Sequence, residues 1–181
     1  TFTSCNPSEG KSLTSVNMSI TLANTGSKVL LIDADMRKPT VHKLLKINNT
    51  NGLSSIISSQ CSINEARNIK VRENLDVITA GPIPPNPSEL LASSKMTTAI
   101  ELLREKYDYI CIDTPPINVV SDALLLNPIS SGILFVVREN STTHMALQSA
   151  LENVKMTNGK ILGIMKVACN SDGKSNWYYE A

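Results

Sequence analysis

Histidine, cysteine and net charge are all scarce in this chain of 181 residues. It has two histidines and four cysteines, Cys5, Cys61, Cys111 and Cys169, and no two cysteines form a C-x-x-C pair. That spacing argues against a zinc site or a disulfide framework, and four reduced thiols fit a reducing cytosol. Seventeen Lys and Arg stand against sixteen Asp and Glu, for a formal net charge of +1, so no basic footprint for nucleic acid is expected. No apolar run approaches the ~18 residues of a membrane span, and no signal peptide opens the chain. Repeats and low-complexity tracts are also missing. What remains is an ordinary globular balance, 41% hydrophobic and 18% charged, on a length that suits one domain with one sizeable core.

Short apolar runs recur along that length. Val29–Ile32, Tyr109–Ile112, Ile133–Val137 and Ile161–Met165 are continuous, and Leu75–Ile78 is a weaker case. Such runs predict strands of a parallel sheet covered on both faces. Helical spacing lies between them. Leu13, Val16, Ile20 and Ala23 share one face of a helix predicted over residues 11–24, with Gly26 as its terminator. Leu147, Leu151 and Val154 mark another over 142–155. The proline-rich stretch 81–87 is a loop, and Ser88 is the expected N-cap of a helix starting at Glu89. The alternation predicts an α/β fold with a doubly wound, mainly parallel sheet. Thr1 stands almost inside the first motif, and a strand needs ~5 residues. Upstream sequence, with any membrane segment it carries, is therefore expected.

The segment Ser4-Cys5-Asn6-Pro7-Ser8-Glu9-Gly10-Lys11-Ser12 follows a strand and opens a helix, the context of a phosphate-binding loop. Successive backbone N–H groups there form an anion nest, reinforced by the helix N-terminus. Gly10 permits close approach of phosphate, Lys11 reaches the β- and γ-phosphates, and the Ser12 hydroxyl suits Mg²⁺. The pattern departs from G-x-x-x-x-G-K-[ST] at Cys5, where glycine is usual.

Two apolar runs end in aspartate, giving Asp33-Ala34-Asp35 and Asp113-Thr114-Pro115-Pro116. Ligands of open α/β sheets bind beyond the carboxyl ends of the strands. Asp113 is the expected Mg²⁺-holding residue of the Walker B type. Asp33 and Asp35 can face one site and divide two tasks, steadying the metal and accepting a proton from an incoming hydroxyl. Arg37 and Lys38 follow, available to phosphate or to acids.

These motifs resemble the bacterial tyrosine kinases of capsule and exopolysaccharide synthesis, P-loop NTPases of the deviant Walker A/A′/B type. The resemblance rests on Thr3-Ser4-x-x-Pro7-x-Glu9-Gly10-Lys11-Ser12, Ile32-Asp33-Ala34-Asp35-Met36-Arg37-Lys38-Pro39 and Ile112-Asp113-Thr114-Pro115-Pro116. The loop Ala80–Leu91, Ser121-Asp122-Ala123 and Val136-Val137-Arg138 extend it. It implies a kinase domain over 1–170 and a flexible tyrosine tail over 171–181. It implies ATP and Mg²⁺, with nucleotide contacts at Pro7, Ser8, Glu9, Gly10, Lys11, Ser12, Leu13 and, beside the adenine, Arg138. Ser12, Asp33 and Asp113 would hold the metal. Lys11, Asp33 and Asp35 would be catalytic, with Asp33 nearest the acceptor hydroxyl. Protein tyrosines are the implied substrates, with Tyr178 and Tyr179 as autophosphorylation sites. A ring-like homo-oligomer and a membrane activator, a polysaccharide co-polymerase, are the implied partners, in the cytoplasm at the inner face of the membrane.

Three departures stand against this pattern. Leu13 occupies a usual threonine position. Lys166-Val167 stands where relatives carry Leu-Asn, leaving Asn170 as a substitute adenine contact. The tail has only two tyrosines. Two other classes share the fold: partitioning and division-site ATPases, whose signature lysine is replaced here by Asn6, and a nucleotide-binding regulatory subunit without kinase activity.

Overall fold

A computed structural model describes residues 1–168; Cys169, Asn170 and the tail with Tyr178 and Tyr179 lie outside the described residues. The order is β1 (Phe2–Ser4), α1 (Lys11–Asn24), β2 (Val29–Asp33), α2 (Val41–Leu45), α3 (Leu53–Ile57), α4 (Ile63–Ala66), β3 (Arg67–Arg72) and β4 (Leu75–Ile78), followed by α5 (Pro87–Leu91), α6 (Ser94–Arg104), β5 (Tyr109–Asp113), α7 (Asp122–Leu125), a 3₁₀ turn (Asn127–Ile129), β6 (Ile133–Arg138), α8 (His144–Met156) and β7 (Ile161–Val167). They build one seven-stranded sheet in the order β3-β4-β2-β5-β1-β6-β7. All pairings are parallel except β3–β4.

The apolar runs become strands because helices cover both faces. Every residue of β2 is buried. One face packs Leu30, Ile32 and Ile112 against α3, α5 and α6; the other packs Leu31, Val29 and Cys111 against α1 and α2. A third cluster joins Cys5, Phe135 and α8.

Three expectations are corrected, and one strand was not foreseen. β7 is apolar in sequence yet alternates, with Leu162 54% and Ile164 49% exposed, because it is a sheet edge covered on one face among the described residues. The buried stripe of α1 runs through Ser15, Val16, Ser19 and Ala23, while Leu13 is 53% exposed. Small residues there let the helix sit close to the sheet, and the Ser19 hydroxyl is satisfied by the Ser15 carbonyl at 2.7 Å. Ser88 is not an N-cap: Asn86 takes that place and Pro87 the first helical turn, where its missing N–H costs nothing. Finally, β3 was not legible, since Arg-Asn-Ile-Lys-Val-Arg has no apolar run; its charges suit an exposed edge.

Candidate active site

Sheet register creates the site. Asp33 and Asp113 are paired neighbours at the carboxyl ends of β2 and β5, on strands that lie about 4.8 Å apart. β1 ends between β5 and β6 and delivers the phosphate-binding loop to the same edge. The strand-end turns are locked to β1. Thr114 donates from N and Oγ1 to the Phe2 carbonyl at 3.1 and 2.7 Å, and Ile117 N donates to the Ser4 carbonyl at 2.9 Å.

The loop needs left-handed backbone at Ser8 (φ 65°) and Gly10 (φ 90°). Glycine takes that conformation freely, and φ rather than space sets the requirement, since a Cβ at Gly10 would meet Val167 at an ordinary 3.5 Å. Glu9 is 1% exposed. Its carboxylate accepts from Asn6 N at 2.9 Å and from the Thr142 hydroxyl at 2.7 Å. The Glu9 side chain therefore braces the loop from beneath, and only its backbone is available to a nucleotide.

Lys11 lies over the carboxylates. Its Nζ donates to Asp35 Oδ2 at 3.0 Å and to Asp113 Oδ2 at 3.4 Å. Burial alone would depress its pKa, but Asp113 and Asp35 outweigh that and hold it above the lysine range. Asp113 has no exposed side-chain surface. Burial pushes its carboxyl upward, opposed by Lys11 and the Ser12 hydroxyl, which donates to its Oδ2 at 2.5 Å. Asp113 Oδ1 has no hydrogen-bond partner.

Asp33 and Asp35 have different settings. Asp33 is fully buried, and its oxygens accept from the backbone N–H groups of Asp35, Thr40 and Val41 at 3.1–3.2 Å. Burial, then Asp113, pushes its pKa up to about 7. Asp35 lines the adjoining cavity and Asp33 does not, the reverse of the expected order. That cavity, about 460 Å³, is walled by the phosphate-binding loop, Leu13, Lys38, Leu44 and Pro115–Pro116 with Val119 and Val120. A larger one, about 540 Å³, is lined by the first residues of β1, β5 and β6, at the wrong end of a parallel sheet for ligand binding.

Mg²⁺ fits these residues. An orphaned buried carboxylate oxygen beside a hydroxyl offers hard oxygen ligands. Among the described residues no three Asp, Glu, His or Cys side chains form a cation cage, which suits an ion that keeps water and phosphate oxygens around it. Asp33, expected as a ligand, has both oxygens committed to backbone donors.

The remaining basic residues separate. Arg37 pairs with buried Asp122, Nε to Oδ2 at 2.9 Å, and donates to Ser88 Oγ at 2.8 Å; Ser88 itself donates to Asp122 at 2.7 Å. This knot fastens the loop after β2 to α5 and α7. Arg138 Nη1 reaches the Ser8 carbonyl at 3.4 Å, at the rim of the phosphate-binding loop.

The chain matches the AAA domain family over residues 8–162. It is 40% identical to the putative tyrosine-protein kinase CapB of Staphylococcus aureus over 98% of this chain and 78% of that protein. With tyrosine-protein kinase YwqD of Bacillus subtilis the identity is 42%, over 90% and 68%. The kinase domain of the Escherichia coli tyrosine kinase ETK superposes with a TM-score of 0.91 at 29% identity, covering 99% of this chain and 71% of that one. The chain belongs to the bacterial tyrosine-protein kinase family.

The kinase covers only 24% of a longer relative from Klebsiella pneumoniae. Its likeness to the septum site-determining protein MinD of Pyrococcus horikoshii, complexed with Mg-ADP, has a TM-score of 0.75 at 21% identity and shows the fold alone. Among the described residues no helix of the kinase is long and apolar enough to cross a membrane. Sequence spacing carried no signal for the Glu9–Thr142 brace, whose partners are 133 residues apart. Asp122 did have one, in Ser121-Asp122-Ala123, but without its partner Arg37.

Proposed function

We infer that this tyrosine kinase transfers the γ-phosphoryl group of ATP to tyrosine at the cavity beside Lys11. The carrying observation is the buried cluster of Lys11, Asp35 and Asp113, whose one unsatisfied oxygen, Asp113 Oδ1, stands next to the Ser12 hydroxyl. Backbone N–H groups of residues 7–12 cradle the phosphates. Lys11 exchanges its carboxylate partners for phosphate oxygens. Ser12 and Asp113 would hold Mg²⁺, which would supply neutralisation of phosphate charge. The tyrosyl oxygen attacks the γ-phosphorus, the bond to the bridging β-oxygen breaks, ADP leaves, and Asp35 takes the phenolic proton. Asp33 shapes the loop that carries Asp35. Arg138 flanks the adenine. The acceptors of autophosphorylation are Tyr178 and Tyr179, offered by a neighbouring copy in a homo-oligomer. A membrane-bound activator of polysaccharide synthesis would keep the domain at the inner face of the membrane.

Lys11→Met tests this. A charge-assisted contact is worth ~1.5–3 kcal/mol, so the Kd for Mg-ATP by calorimetry should rise roughly 10- to 150-fold and phosphotyrosine should vanish, with an unchanged far-ultraviolet spectrum. An unchanged Kd overturns the assignment.

A further inference from the structure

A second concavity of about 540 Å³ opens beside the transfer cavity, between the loop after β2 and the loop 81–83, and the two share Arg37, Lys38 and Thr40 as a common wall. Phosphoryl transfer as described makes no use of it. Its lining contains Arg37, Lys38, His42 and Lys43 and no carboxylate. Arg37 is already spent on Asp122. Burial and Lys43 hold the His42 pKa below its ordinary value. The attraction for an anion therefore comes from Lys38 and Lys43, both exposed. Thr40 Oγ1 and His42 Nδ1, on residues of the same wall, are buried away from solvent without a hydrogen-bond partner, so they add no accessible charge to the concavity.

We propose that this concavity is a specificity subsite for an acidic side chain two residues after the acceptor tyrosine, and that its occupant is Glu180 of a second copy of this chain, with Tyr178 in the transfer cavity. The proposal rests on the kinase reading above. In an extended segment, alternate side chains share a face and lie roughly 6.6–7 Å apart, a step that suits two cavities with a common wall. Bound in that extended form, the sequence Trp177-Tyr178-Tyr179-Glu180 would put a carboxylate on the same face as Tyr178 and on the opposite face from Tyr179. Only the register with Tyr178 as acceptor delivers phenol and carboxylate together to a site whose outer wall is cationic.

The test uses a Lys11→Met copy as substrate, so that labelling occurs between chains, at subsaturating substrate and low salt. The wild-type enzyme should label Tyr178 ahead of Tyr179 by mass spectrometry. Exposed ion pairs are individually weak, but reversal turns attraction into repulsion. Glu180→Lys in the substrate, or Lys43→Glu in the enzyme, should each cut the initial rate roughly 5- to 20-fold. Combining Lys43→Glu enzyme with Glu180→Lys substrate should restore most of it, and the ATP affinity of the Lys43→Glu enzyme should stay at the wild-type value. Losses that multiply without restoration, or labelling mainly at Tyr179, overturn the proposal. If the wild-type enzyme labels no tyrosine, the kinase reading fails separately. The subsite is then read by fluorescence anisotropy of a tail peptide with both tyrosines changed to phenylalanine. At least threefold tighter binding of the Glu180 form than of its lysine form supports the subsite, and equal binding overturns it.

Discussion

Asp113→Asn should stabilise the nucleotide-free kinase while abolishing the proposed Mg²⁺ site. Among the described residues Lys11 is the one cation within salt-bridge distance of Asp35 and Asp113, and Asp33 lies next to Asp113 in register. Asp113 is fully buried and held above the usual carboxylate range by that burial, despite Lys11 and Ser12. Its charged form is thus a net cost to folding. The amide keeps the shape. Its oxygen can replace Oδ2 as acceptor for Ser12 and Lys11, and its NH₂ takes the position of Oδ1, where one unpaired group replaces another at lower cost because it is uncharged. Because Lys11 keeps Asp35, neutralising this buried charge strands no cation and should gain about 1–3 kcal/mol, within the range seen when costly buried ionic groups are replaced by neutral ones. For a domain of this size that is about 2–10 °C in Tm. The sign follows from linkage. A folded-state pKa above the unfolded value means the native state binds more protons between the two, so wild-type stability falls as pH rises through that window. The variant escapes this fall, so its advantage should be near zero at pH 4 and largest at pH 8. Thermal melts in EDTA across pH 4–8 measure it. Added Mg-ATP should reverse the order, because only the wild type gains from binding. A variant less stable than wild type at pH 8, or a gap independent of pH, refutes the reasoning.

Two further outcomes follow from the same geometry. Glu9→Ala removes the acceptor for Asn6 N and the Thr142 hydroxyl; orphaning such groups costs about 1–3 kcal/mol, so calorimetry should give a Kd for Mg-ATP at least several-fold weaker, along with a lower Tm. Gly52→Ala would set a Cβ 2.2 Å from Gly81 N and 2.3 Å from the Thr79 carbonyl, a backbone collision that no rotamer relieves, and denaturant melts should show a loss of more than about 3 kcal/mol.

How much of this was legible depended on the range of each interaction. The strands β2, β4, β5 and β6 were readable because burial within the sheet writes an apolar run, β7 because its run is apolar although only one face is covered among the described residues, and α1 because a left-handed Gly10 at a strand–helix junction writes a local signature. The three aspartates were readable for the same local reason. Their division of labour was not, because it depends on which backbone N–H groups each oxygen meets. Asp33 is consumed by donors seven and eight residues ahead, at Thr40 and Val41, so the residue that looks foremost in the sequence is structurally interior, and Asp35, two residues on, faces the cavity. The same holds for Glu9, a plausible phosphate contact by position whose side chain instead ties to a turn 133 residues away. In both cases a charged residue in the motif holds the backbone that makes contact rather than making it, and a substitution there should alter affinity through loop geometry. Charge-preserving variants separate the two roles. Glu9→Asp keeps the charge but shortens the reach to Thr142, so ATP affinity should fall if bracing matters and stay constant if charge alone does.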